Sequence, residues 1–288
     1  MRRTSLTAML ITCLLVAAFA QAVAAADDLA GTAAFMDIGL GARAMGMGGA
    51  FVGIADDATC VYYNPAGLAI QDGRSFTSFY TNQYGQAGYL GLAYAQKGFG
   101  GGILSLGASD VQGTDEFGNP TETYSLTERA LFASAARTYK GLHIGGTVKH
   151  YSQSLPDIDG SGVTCDLGLL YEGNEYTVGA VGRNLFGQVR YSNGSADPFE
   201  RTFVVGVSTG IIPRLTLALD YETNGTAHVG GEYRLEVFDL RGGAVFREGR
   251  ASLTAGLGVR TGMFRFDYAY ETHEILPDMH RLSVQVRF

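Results

Sequence analysis

His280-Arg281-Leu282-Ser283-Val284-Gln285-Val286-Arg287-Phe288 closes the chain in strict polar/apolar alternation and stops on an aromatic residue. A period of two places Leu282, Val284, Val286 and Phe288 on one face of a strand and Arg281, Ser283, Gln285 and Arg287 on the other. The rhythm recurs upstream. Leu215, Leu217, Leu219 and Tyr221 oppose Thr216, Ala218, Asp220 and Glu222; Phe264, Phe266, Tyr268 and Tyr270 oppose Arg265, Asp267, Ala269 and Glu271. A row of aromatic residues on one face is large for a soluble surface and at home against lipid. An Arg or Lys at the bilayer midplane would cost about 2–4 kcal/mol. Arg260, Arg265, Asp267, Glu271, Arg281 and Arg287 are therefore expected to point inward and pair across strands. The fold class expected is all-β: a transmembrane antiparallel β-barrel, apolar outside and wet inside.

Strand-like segments run from Arg74 to the C-terminus and number about fourteen, an even count suited to a single-chain outer-membrane barrel. Their connections alternate in length. Tyr139-Lys140-Gly141 and 210–213 are short, whereas 111–121, 153–161, 187–200 and 272–278 are long and polar. Short periplasmic turns and long extracellular loops give such a pattern. A secreted sandwich or jelly roll needs no such regularity.

The first residues read as a secretory signal over 1–25. Arg2 and Arg3 form the charged region, Met9 to Ala20 the apolar one, and Ala22-Val23-Ala24 or Ala24-Ala25-Ala26 the cleavage site. Export and barrel pattern together predict the outer membrane, with outer-membrane lipid as the first partner. Beyond the signal no stretch is apolar enough for a spanning helix. A mean hydropathy of +0.07 with 46% hydrophobic residues suits a barrel, because half of each strand faces water.

Gly occurs 41 times in 288 residues, about twice the usual ~7%. Many glycines in alternating segments suit a curved sheet that closes on itself. Tyr and Phe, 16 each, can supply interfacial girdles, although Trp is absent. A formal charge of −7 and no basic patch exclude a nucleic-acid partner. Cys60 and Cys165 remain after processing; a disulfide between them and two separate buried thiols are both open at this stage.

Residues 26–73 differ from the rest. They lack alternation, are rich in Gly, Ala and Met, and end in Asn64-Pro65-Ala66-Gly67-Leu68. Pro65 suits the first position of a helical turn capped by Asn64. One or two short helices are expected over 56–69, within a plug or hatch beneath the barrel 74–288. Arg43, Asp56 and Asp57 are expected to contact lumen charges, Asp57 or Asp56 serving also as a cap. Met45, Met47, Phe51 and Leu68 would line an apolar pocket if one runs through the lumen.

Chemistry is sparse. Gly46-Met47-Gly48-Gly49 has neither the dinucleotide spacing nor a following Gly-Lys-Ser/Thr, so no cofactor is expected. The five His are scattered, no metal-ligand spacing occurs, and no Gly-x-Ser-x-Gly elbow is present. The chain reads as a non-enzyme.

The run from Gly39 to Ala58, with its glycines and paired Asp56-Asp57, followed by Tyr62-Tyr63-Asn64-Pro65-Ala66-Gly67-Leu68-Ala69, closely resembles the N-terminal signature of the PorV/PorQ family of outer-membrane proteins, which are similar to FadL-type fatty-acid transporters. Val181-Gly182-Arg183-Asn184-Leu185-Phe186-Gly187 resembles a mid-barrel element of that family. The last strand also resembles the signal read by the barrel-assembly machinery, carried by Leu282, Val284, Val286 and Phe288, although Ser283 stands where that signal usually has Gly. The resemblance implies a fourteen-stranded barrel with its N-terminal segment in the lumen. It implies, first, service in protein export of the type IX kind or in outer-membrane organisation, with exported proteins as partners. The alternative is a FadL-like channel for hydrophobic small molecules such as fatty acids. A structural barrel with a closed lumen is the third reading.

Overall fold

The computed structural model describes residues 32–288, so the expected signal peptide lies outside the described residues. Fourteen antiparallel strands close into a barrel. They are β1 (Arg74–Gln83), β2 (Ala87–Gln96), β3 (Phe99–Thr114), β4 (Pro120–Tyr139), β5 (Leu142–Ser154), β6 (Asp159–Glu172), β7 (Tyr176–Arg183), β10 (Thr202–Thr209), β11 (Leu215–Glu222), β12 (Ala227–Arg234), β13 (Phe238–Arg247), β14 (Arg250–Thr261), β15 (Phe264–Glu271) and β16 (Met279–Arg287). Each pairs with its neighbour, and β1 pairs with β16 from Ser75↔Arg287 to Thr81↔Arg281, which removes both sheet edges. Two short strands, β8 (Gln188–Tyr191) and β9 (Ala196–Pro198), form a flap on the free end of β6 that period-two reading missed.

The outward face follows the alternation. Phe264, Phe266 and Tyr268 stand opposite Val286, Val284 and Leu282, all on the outside. Short connections, such as Lys140–Gly141 and Gly262–Met263, gather at one end of the barrel; 115–119, 184–201 and 272–278 gather at the other. Glu248–Gly249 is a tight turn at the long-loop end and departs from the pattern.

The wall is uneven. β7, β10, β11, β12 and β15 have 8 residues each, whereas β3 has 16 and β4 has 20. A bilayer needs about 9–11 residues per tilted strand, so β3 and β4 rise beyond it at the loop end. There the outward face turns polar, with Ser105, Arg129, Ser152 and Ser161 in register. Arg137 also faces outward, near the short-turn end of β4, where a long side chain can reach the interface.

The interior is filled rather than wet throughout. Residues 32–73 occupy it with a 3-10 turn at Ala34–Asp37, helix α1 (Ala42–Gly46), helix α2 (Cys60–Tyr63) and a 3-10 stretch at Pro65–Ile70. Cys60 is buried in this filling while Cys165 lies on the outward face of β6, so the two thiols are free and separated by the wall.

Candidate functional site

The functional candidate is the closure itself. From Ala42 to Leu68 the segment runs round the inside of the barrel and meets the wall strand by strand. At nearly every meeting the wall offers a glycine. Gly46 packs on Gly256 of β14, Met47 and Gly48 on Gly230 and Gly243 of β12 and β13, Gly53 on Gly206 of β10, and Val52 on Gly179 of β7. Pro65 and Ala66 lie on Gly145 and Gly168 of β5 and β6, and Leu68 on Gly100 of β3. A Cβ on Gly243 would stand 2.5 Å from the Gly48 amide nitrogen, well inside any real contact. The glycine-rich composition thus gives backbone-to-backbone approach between plug and wall.

Inside this glycine track sits a closed ring of six charges. Arg43 grips Glu232 through Nε and Nη2, both at 2.9 Å. Glu232 also accepts Arg241 Nε at 2.7 Å, and Arg241 Nη1 reaches Asp267 at 2.9 Å. Asp267 pairs with Arg265 at 3.1 Å, Arg265 with Asp57 at 3.1 Å, and Asp57 with Arg43 at 2.9 Å. Asp56 joins Arg43 and Arg234 at the margin. Three cations and three carboxylates alternate, so each buried charge has partners on both sides. Burial works against the charge on Arg43, but Asp56, Glu232 and Asp57 outweigh it and hold its pKa well above the ordinary value. Burial would raise Asp57, yet Arg43, Arg265 and a hydrogen bond from Thr59 hold it far below the usual carboxylate range.

A second set of bonds holds plug backbone. Asp220 on β11 accepts the Phe51 and Val52 amides at 2.7 and 2.8 Å. His228 Nδ1 on β12 donates to the Gly48 carbonyl at 2.7 Å, and Ser208 on β10 donates to the Gly53 carbonyl at 2.8 Å. Asn64 donates to the Val52 and Leu169 carbonyls at 3.0 and 2.9 Å while its oxygen caps Ala66.

Among the residues singled out from sequence, Arg43, Asp57, Arg265 and Asp267 meet in the charge ring. Asp56 lies beside it, and Arg287 donates to the Asp56 carbonyl at 3.1 Å. Asp57 both caps, accepting the Thr59 amide at 3.0 Å, and pairs. Arg260 pairs with Asp239 at 3.1 Å. Glu271 and Arg281 pair with each other at 2.6 Å, apart from the ring. Asn64 and Pro65 form the expected capped turn. Met47 and Phe51 pack in one core, Leu68 in another, and Met45 lies at the margin of the second. Leu282, Val284 and Phe288 stand on the outer face of β16 with large exposed surfaces, and Val286 shares that face. Sequence reasoning missed Glu232, Arg241, Asp220 and His228 as plug partners. Their inward phase on alternating strands was the available signal; which plug atom each would meet was not.

Deeper toward the loop end, Met36, Asp37, Val61, Tyr62, Phe132, Lys149, Asp166 and Arg183 line a small cavity of about 10 Å³. That is roughly room for one water. Asp37 lines this cavity and keeps part of its surface exposed. Among the described residues no group of side chains could hold a metal ion.

No family model matches the chain, and no curated protein does. Solved structures match over most of its length. The toluene transporter TbuX of Ralstonia pickettii superposes with a TM-score of 0.61 at 17% identity, covering 87% of this chain and 98% of that one. A deltaS2S3 mutant of TodX, a monoaromatic hydrocarbon channel, gives 0.59 at 15% identity, covering 87% and 99%. A deltaS2 mutant of TodX gives 0.58 at 14% identity. The likeness is one of fold: a barrel of this kind extends over nearly the whole of each neighbour.

Proposed function

We propose that this chain is an outer-membrane barrel that passes small hydrophobic molecules, seen here with its own N-terminal segment shutting the lumen, and that it is not an enzyme. The observation that carries the proposal is the fixed closure: a transmembrane barrel whose bore is blocked by a segment of the same chain, tied to the wall by charges and backbone bonds. A purely structural barrel could fill its bore with side chains alone. The full-length likeness to hydrocarbon transporters and channels supports the hydrophobic-solute alternative over protein export, for which the N-terminal signature remains the one support. The apolar belt, the export signal read in the sequence and the grouping of connections support the outer membrane, with the short turns periplasmic and the long loops outside.

The test is uptake. Purified protein in liposomes should admit labelled toluene or a labelled fatty acid faster than protein-free vesicles. Uptake no faster than in empty vesicles, together with exported proteins co-purifying through the long loops, would sink the proposal in favour of export. Deleting 42–68 should raise ionic leak if this segment is the closure.

A further inference from the structure

The six short turns of the barrel divide into two kinds, and the division follows the side of the wall. Between β2 and β3, β4 and β5, and β6 and β7 the tips carry Lys97, Lys140 and Asn174-Glu175, all exposed. Just above them Phe99, Tyr139, Tyr171 and Tyr176 form an exposed row of rings, as an interfacial girdle does. Between β10 and β11, β12 and β13, and β14 and β15 the tips are apolar: Ile211-Ile212, Leu235 with Val237, and Met263, each exposed. Here the rings of Tyr233, Phe238 and Phe264 stand above greasy tips rather than charged ones. Arg214, the cation of the first of these turns, falls in the inward phase with Thr216 and Ala218. Glu236 is the one charge at the three tips.

The heights of the two sides say where each set of tips lies. On β4 the outward face reads Arg129, Leu131, Ala133, Ala135, Arg137, all exposed. An arginine is costly at hydrocarbon depth and extends toward the headgroups, so the two cations mark the borders of the apolar band. Register carries the upper border across Ser105, Ser152 and Ser161. The lower border is reached at Arg137, before β4 ends at Tyr139, and the Lys140 tip stands beyond it in water. On the other side β10, β11 and β12 have 8 residues each. Such a strand rises about 27 Å, or about 21 Å along the axis at a tilt of about 40°, against an apolar band of about 25 Å. At their loop ends the chain turns polar at once, with Glu222-Thr223-Asn224 after β11 and Glu248-Gly249-Arg250 after β13. The missing height is supplied at the turn end, by Ile211, Ile212, Leu235 and Val237.

We infer that the barrel is seated obliquely, with the turns of the β10–β15 side sunk to acyl-chain depth in the leaflet at that end and the turns of the β2–β7 side standing clear of it. The apolar tips are a lipid-binding surface, and their partner is hydrocarbon. Glu236, at the tip of the middle turn, reaches the headgroups. On the orientation proposed above the leaflet is the inner one; the seating itself requires only a membrane-spanning barrel and is independent of solute passage. A tall side and a short side share one membrane, and the outward residues of each match the depth this seating assigns them.

The test places a bimane label on single cysteines of the full chain carrying Cys165→Ser; Cys60 is buried and does not label. Lys140→Cys and Asn174→Cys report one side, Ile212→Cys and Val237→Cys the other. Nanodiscs leave both faces of the bilayer open to solution. Labels at 212 and 237 should lose most of their emission to phosphatidylcholine brominated on its acyl chains and little to aqueous iodide. Labels at 140 and 174 should show the reverse, which also controls for insertion driven by the label. Matching quenching on the two sides, or iodide reaching 212 and 237 as freely as 140, overturns the inference and leaves an apolar face in water, fit for a protein partner. A failure of toluene uptake would sink the passage proposal and leave this reading untouched.

Discussion

Two stretches of the plug are held by different physics. From Ala42 to Leu68 it is fixed by ions on the β12–β15 side, by glycine contacts from β14 round to β3 and by wall side chains bonded to its backbone. Ahead of it, Ala33, Phe35 and Met36 rest on aromatic and aliphatic packing, with an uncapped turn at Ala34–Asp37. Packing is roughly non-directional and tolerates another apolar group of similar shape. A ring of buried charges does not, because removing one partner leaves an uncompensated charge in the interior.

The largest effect should come from the fixed stretch. Glu232→Ala leaves Arg43 and Arg241 buried with one carboxylate fewer each, and removing one member of a buried pair costs about 3–5 kcal/mol. The expected outcome is protease access to the plug and raised liposome leak, with the barrel itself still folded by gel mobility. Pairing it with Arg43→Ala should recover part of the loss. Unchanged leak and unchanged protection in Glu232→Ala would erase the distinction between the two stretches.

Next comes the glycine track. Gly230→Ala would drive a methyl into the Met47 backbone, whereas Gly242→Ala points outward with nothing nearer than 4.0 Å. Overpacking a tight site costs about 1–3 kcal/mol. The thermal midpoint and plug protection should fall for Gly230→Ala and hold for Gly242→Ala. Equal behaviour would mean that the glycines serve wall curvature rather than the plug.

How much of this was legible in the sequence follows from what fixes each feature. Alternation is local, so the strands and the outward belt could be read residue by residue, down to Phe264, Phe266 and Tyr268 against Leu282 and Val284. Asn64-Pro65 is a local signal too. The charge ring joins Arg43 to Glu232 across 189 positions, and no local rule says which inward carboxylate a plug arginine will find. The track glycines were visible in number but not in purpose, because a missing Cβ announces a close approach without naming the partner. The inward aromatics Phe79, Tyr89, Phe132 and Tyr151 were hidden by their phase. Phe79 sits one residue from Tyr80 and on the opposite face, and a reading that sends every aromatic outward toward lipid overlooks it.

Asn64 tests the join between the two parts. Its side chain caps the Pro65 turn and ties Val52 to Leu169 of the wall. Asn64→Ala should cost about 0.5–2 kcal/mol as a lost cap, with a further loss from the two carbonyls left buried. Asn64→Asp keeps the cap acceptor but not the donors and should fall between. If both variants match the parent in thermal midpoint, the turn is held by packing alone.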